Sequence, residues 1–162
     1  MSEVFDNFLD DDELVQALLI IKKPEWKFGI KSYKNQGVSF WSLDLMKYHT
    51  YVNKLVDKLK TLTGRDYKLH NVYANGQTYG QDGVYHQDDD FNQNAFTLVI
   101  YINDNDGYTQ IKNEDGTITT IIPCQRRAVL YNSTVIHRGL GPSRFNDKLR
   151  VTFAFRLTDI TK

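Results

Sequence analysis

The chain has 162 residues, with 20 Lys+Arg balanced by 20 Asp+Glu, 41% hydrophobic and 25% charged residues. That balance excludes a disordered chain and argues against a protein that holds nucleic acid through a strong overall positive field. The lone cysteine, Cys124, excludes an internal disulfide framework and any multi-cysteine zinc site, which makes a reducing, cytoplasmic compartment the expectation.

The opening segment lacks the basic-then-apolar layout of a secretory signal, and no apolar run reaches the length of a membrane span. Asp10-Asp-Asp-Glu13 reads as a helix start with a capping box, followed by Leu14, Ala17, Leu18 and Ile21 at helical spacing. Pro24 stops the run. Trp26, Phe28, Tyr33, Phe40 and Trp41 then mark short extended pieces, broken at Gly29, Lys34-Asn-Gln36 and Gly37. Ser42 is expected to cap a longer helix with a buried stripe of Leu45, Tyr48, Val52, Leu55, Val56, Leu59 and Leu62. Gly64 ends it in the left-handed conformation.

From residue 66 the pattern changes to strands. Tyr67–Tyr73 alternates with period two, and Ala74-Asn-Gly76 is expected to turn. Phe96–Ile102 follows, dense in β-branched and aromatic residues, and closes at Asn103–Gly107. Residues 108–112 and 117–122 flank Asn113-Glu-Asp-Gly116 as a hairpin, with further strands over Ala128–Asn132 and Leu149–Leu157. Helices first and strands afterwards predict a mainly β fold with supporting helices, an antiparallel sandwich or barrel. The chain reads as a single domain over 1–162. Residues 1–65 supply helical support and an entrance segment, and 66–158 supply the β core.

His86-Gln87-Asp88 places an imidazole and a carboxylate two residues apart, on one face if the backbone is extended. Such a pair arises often by chance, and alone it is read as a surface turn. His137, in Ser133-Thr-Val-Ile-His-Arg-Gly139, is the best third ligand. Two histidines and one carboxylate leave adjacent coordination positions open, the arrangement suited to non-haem Fe(II). Arg150 and Thr152 share one strand face further on, where a guanidinium beside a hydroxyl makes a carboxylate clamp. His49 and His70 read as structural, and Gly139-Leu-Gly141 is only half of a dinucleotide-binding motif.

The order His86-x-Asp88, His137, Arg150-x-Thr152 resembles the 2-oxoglutarate- and Fe(II)-dependent dioxygenases, most closely the prolyl-4-hydroxylase-like branch. The resemblance covers about residues 66 to 157, with a looser echo at Phe5–Leu9. It implies a double-stranded β-helix, the jelly roll of cupin-like barrels. It implies His86, Asp88 and His137 as Fe(II) ligands, Arg150 on the distal carboxylate of 2-oxoglutarate with Thr152 beside it, and Tyr73 and Tyr101 lining the cosubstrate pocket. Dioxygen is the remaining cosubstrate. Arg150 lies further beyond His137 than the family's base commonly does, so Lys148 and Arg144 compete with it. Asp106-Gly107 stands where a Gly-Gly pair is often found.

The activity so implied is hydroxylation of an unactivated C–H with release of succinate and carbon dioxide. A prolyl residue in a peptide or protein is the first choice of substrate. A small molecule is the alternative, and the acidic Asp88–Asp90 loop disfavours a phosphate backbone near the metal. Two other classes fit the same residues: a non-catalytic jelly-roll binding module, and a cupin-like metal enzyme that does not use 2-oxoglutarate.

Overall fold

The computed structural model describes residues 2–34 and 36–161. In chain order the elements are β1 (Ser2–Phe5), α1 (Asp11–Ile21), β2 (Lys27–Ile30), β3 (Phe40–Asp44), a 3-10 turn (Met46–Tyr48) and α2 (His49–Thr63). There follow β4 (Tyr67–Gln77), β5 (Ala95–Tyr101), β6 (Thr109–Lys112), β7 (Ile118–Ile121), β8 (Ala128–Asn132), β9 (His137–Gly139) and β10 (Arg150–Asp159). The strands form two antiparallel sheets. The major one has seven strands in the order β1-β8-β5-β10-β4-β3-β2, and the minor one three in the order β7-β6-β9. This is the expected mainly β jelly roll with helices on one face. None of the described helices is long and apolar enough to cross a membrane.

Local chemistry explains α1 directly. The Asp10 carboxylate accepts from the Glu13 amide at 2.8 Å, and Glu13 accepts from the Asp10 amide at 2.9 Å. Both satisfy N–H groups that a helix start leaves unpaired. Glu13 is fully buried and forms ion pairs with Lys54 and Lys58 of α2, tying the two helices together. At the other end of α2, Gly64 closes the helix at φ +69°.

The major sheet keeps its two faces chemically distinct, as period-two alternation requires. Along β10, Val151, Phe153, Phe155 and Leu157 join Leu14, Val52, Leu55 and Leu59 in one hydrophobic cluster against the helices. Arg150, Thr152, Ala154 and Arg156 face the opposite way, into a cavity between the sheets. Strands β4 and β5 repeat the division: Val72, Ala74, Leu98 and Ile100 go to the helical side. Tyr73, Asn75, Gln77, Thr97 and Val99 go to the cavity.

Several local expectations are corrected. Ser42 does not cap a helix; it sits in β3, paired with Lys27 and Asn75. The chain enters α2 through the 3-10 turn, with the Met46 amide held by Asp44 at 2.9 Å. Leu62 is exposed rather than part of the buried stripe. Ala74-Asn-Gly76 does not turn: β4 runs straight through it, with Gly76 paired to Val151 on one side and Trp41 on the other. The glycine there serves close packing, since a Cβ would meet Leu149 Cδ2 at 2.9 Å and Trp26 Cζ3 at 3.1 Å. Residues 1–65 supply strands β1, β2 and β3 to the major sheet in addition to the helices. Of the expected Lys34-Asn-Gln36 break, Asn35 lies outside the described residues, and Tyr33 and Gln36 form an isolated antiparallel bridge.

Candidate functional site

The cavity between the sheets has a volume of about 110 Å³, and His86, Asp88, His137, Arg150, Thr152 and Tyr73 all line it. His137 opens β9, while His86 lies in an otherwise irregular segment held by reciprocal backbone bonds. The His86 amide donates to the His137 carbonyl at 3.0 Å, and the His137 amide donates back at 2.9 Å. Asp88 is pinned two residues on, its amide donating to the Ser133 carbonyl at 2.9 Å. The three side chains present donor atoms within 4.8 Å of one another.

Both imidazoles are arranged to offer Nε2. His86 Nδ1 lies 2.9 Å from the Val84 carbonyl and His137 Nδ1 lies 2.9 Å from the Val135 carbonyl. A carbonyl can only accept, so Nδ1 carries the proton and Nε2 keeps its lone pair. Burial lowers the His137 pKa to about 4. Burial, reinforced by His137 and Arg156, lowers that of His86 to about 4. Both rings are therefore neutral near pH 7, the form in which imidazole binds metal.

Asp88 supplies the sharpest test of whether a cation fits. Its Oδ1 is buried, accepts no hydrogen bond, and lies 3.2 Å from His86 Nε2. Two lone pairs face each other across that gap, an arrangement that costs energy until a cation lies between them. The other oxygen, Oδ2, accepts from Thr97 Oγ1 at 2.6 Å, pairs with Arg156 Nη1, and lies 3.4 Å from His137 Nε2. A divalent metal held by His86, His137 and Asp88 fits these groups.

Arg150 also lines the cavity, 3% exposed. Its Nε donates to the Gly107 carbonyl at 2.6 Å, Nη1 to Gln77 Oε1 at 2.7 Å and Nη2 to Thr109 Oγ1 at 2.9 Å. All three acceptors are neutral, and no ion pair involves Arg150 among the described residues. A guanidinium has five N–H donors, so one remains on each terminal nitrogen, the spacing a carboxylate takes. The competing bases, Lys148 and Arg144, are exposed, and Arg144 packs on Phe145 at 4.7 Å.

Thr152 is 2% exposed on the same strand face as Arg150. The Tyr73 hydroxyl lies 3.1 Å from Arg156 Nη2 and accepts from it. Tyr101 departs from the expectation that it lines the pocket: it stands one layer behind the wall. Its hydroxyl donates to Thr109 Oγ1 at 2.7 Å, and its ring lies 5.8 Å from the Arg150 guanidinium carbon. It supports the clamp from behind. His49 is exposed at the start of α2. His70 is exposed on β4, bonded to Thr158 Oγ1 at 2.8 Å.

Thr97, Gln77, Thr109 and Arg156 were not anticipated from the sequence. Arg156 had a signal: it follows Arg150 by an even number of residues on one strand and so shares its face. The others carry none, because their roles depend on strand pairing between distant segments.

No family model and no curated protein matches this chain. Solved structures do match in fold, among them non-haem 2-oxoglutarate–Fe(II) oxygenases. The chain is similar to a 2OG-Fe(II) oxygenase family oxidoreductase from Burkholderia pseudomallei, at TM-score 0.78 and 12% identity, over 97% of this chain and 84% of that one. It is similar to a Trichoplax adhaerens prolyl hydroxylase solved with a hypoxia inducible factor peptide fragment, at TM-score 0.71 and 15% identity, covering 98% and 83%. It is also similar to the non-haem alpha-ketoglutarate-dependent epimerase SnoN from nogalamycin biosynthesis, at TM-score 0.73 and 11% identity, covering 98% and 76%. At these identities the likeness establishes the shared fold.

Proposed function

We propose that this chain is a 2-oxoglutarate- and Fe(II)-dependent oxygenase that hydroxylates an unactivated C–H, with a prolyl residue of a peptide or protein as substrate. The observation that carries the reading is the unpartnered, buried Asp88 Oδ1 facing His86 Nε2, in one cavity with a buried arginine that has no carboxylate partner. One defect calls for a cation and the other for an anion, and Fe(II) with 2-oxoglutarate supplies both.

His86, Asp88 and His137 hold the metal, and the Val84 and Val135 carbonyls keep each Nε2 turned toward it. Arg150 takes the distal carboxylate of 2-oxoglutarate on its two remaining N–H groups, and Thr152 lies beside it on the same face. Tyr73 narrows the cavity near Arg156. When bound, the metal and cosubstrate supply oxidative decarboxylation coupled to oxygen insertion, releasing succinate and carbon dioxide. The protein orients the groups and limits water.

A peptide substrate is supported by a groove over β2 and β3, lined by Glu25, Lys27, Asp44 and Lys47, which shares Ile30 and Tyr73 with the central cavity. Charges of both signs along an open channel suit an extended polypeptide. The whole chain works as one catalytic domain in the cytoplasm, its first 65 residues supporting the barrel and framing the cavity mouth. Succinate release tests the reading: purified protein with Fe(II), oxygen and 2-oxoglutarate should form succinate, and a proline-containing peptide should accelerate it and gain one oxygen atom. No succinate at saturating iron, with or without peptide, would sink it.

A further inference from the structure

We infer that the free edge of β2 is a docking strand for an extended acidic segment of the polypeptide substrate, which pairs along it and leads into the central cavity. This inference rests on the reading of a peptide substrate above and concerns how that peptide is held.

β2 ends the seven-strand order, so among the described residues only β3 pairs with it. An edge strand leaves alternate N–H and C=O groups without partners, a template for one more strand. All four residues of β2 are exposed. The hairpin also leaves two large rings in the open, Phe28 at 58% and Trp41 at 38% exposure, with centroids 5.1 Å apart.

The pairing of β2 with β3 fixes what an added strand would meet. Lys27 pairs with Ser42 and Ile30 with Phe40, and these four share the face toward the groove and the cavity. Phe28 and Trp41 pair on the opposite face. The register shift between Phe28 and Ile30 returns Ile30 to the groove side, where it lines groove and cavity at once. A strand laid along β2 therefore alternates between an aromatic pair and a basic groove wall, and one of its ends lies where groove and cavity meet. The target prolyl residue enters there, beyond the paired stretch, so its missing N–H costs no ladder bond.

Charge names the occupant. Residues 22–34 carry Lys22, Lys23, Lys27, Lys31 and Lys34 against one acid, Glu25, in a chain whose 20 basic and 20 acidic residues otherwise balance. Glu25 is already paired with Lys47, and Lys27 has no ion pair among the described residues. Lysines on an open edge repel a second copy of the same strand. They favour a partner that carries carboxylates, and a segment alternating acidic with apolar residues complements both faces.

Fluorescence anisotropy in the presence of Mn(II) and 2-oxoglutarate tests this without turnover. The probes are a labelled Glu-Val-Glu-Val-Glu-Pro-Gly peptide, its Lys-Val-Lys-Val-Lys-Pro-Gly counterpart and a short thymidine oligonucleotide. At low salt the acidic peptide should bind about tenfold or more tighter than the basic one. Lys27→Glu should weaken the acidic peptide by about fivefold and strengthen the basic one. N-methylation of alternate residues separates strand pairing from charge. One of the two alternating patterns should cost about tenfold, and the other little. That comparison uses the parent protein, so it stands even if thermal melting shows Lys27→Glu to be unfolded. An acidic peptide that does not outbind the basic one, tighter binding of the oligonucleotide, or equal effects of both N-methyl patterns would overturn the inference. Succinate formation without these preferences would remove the docking strand and spare the oxygenase reading. The preferences without succinate would defeat that reading and leave an acidic-peptide docking strand.

Discussion

Replacing Arg150 by methionine separates the clamp from the scaffold. Three of its five N–H groups are spent on Gly107, Gln77 and Thr109, and the two left can form charge-assisted bonds to a carboxylate. At about 1.5–3 kcal/mol each, their loss should weaken 2-oxoglutarate by roughly 100-fold or more. The unliganded protein should change little. A buried, unpaired cation is removed, which favours the variant, while the Gly107 carbonyl and Gln77 Oε1 lose a donor, which opposes it. Thr109 Oγ1 retains Tyr101. Thermal melting with Mn(II), with and without 2-oxoglutarate, reads both effects. At a ligand concentration about 100 times the parent's Kd, the parent should gain about 2.7 kcal/mol of stability and a variant weakened 100-fold only about 0.4 kcal/mol. Equal stabilisation of both proteins would refute the assignment and turn attention to Lys148 and Arg144.

Two further outcomes follow from the geometry. In the metal-free protein, His86 and His137 have pKa values of about 4, below the ordinary 6.5. The unfolded chain therefore binds more protons in that interval, and stability should be full above pH 6.5 and fall progressively as pH drops toward 4. Melting temperature measured across that range should show the slope, and His137→Asn should flatten it. Separately, a Cβ at Gly107 would lie 2.5 Å from the Leu140 carbonyl and 2.8 Å from Arg150 Cδ. Gly107→Ala should cost about 1–3 kcal/mol in denaturant unfolding and weaken 2-oxoglutarate by displacing the arginine.

What the sequence disclosed depended on how far apart the interacting residues lie. Asp10 and Glu13 cap a helix with each other, so the signal and its partner sit within one turn. Period two assigned Thr152 to the face of Arg150 because strand alternation needs no knowledge of the neighbours. Ser42 carried a valid capping signal, but pairing with β2 and β4 claimed its backbone first. Gly76 carried a valid turn signal, and its real purpose was the approach of Leu149 and Trp26, both remote in sequence. His86 and Asp88 were legible as a pair, although the extended strand expected for them is only a single bridge to His137. Tyr101 shows the limit of the family resemblance. It was expected in the pocket, yet its ring is wholly buried behind Thr109 and Arg150. Thr97 meets Asp88 only because β5 passes behind the loop that carries it.

The division of labour along β10 has a consequence for what kinds of change this chain can survive. Its alternate residues belong to two different systems, a greasy seam against the helices and a polar wall around the site. Substitutions on the polar side leave the seam untouched, so the chemistry can be retuned one residue at a time. Adding or deleting a single residue before Arg156 would exchange the two sets, sending guanidinium groups into the helical interface and phenyl rings into the site. The strand thus tolerates editing of its letters and forbids editing of its length.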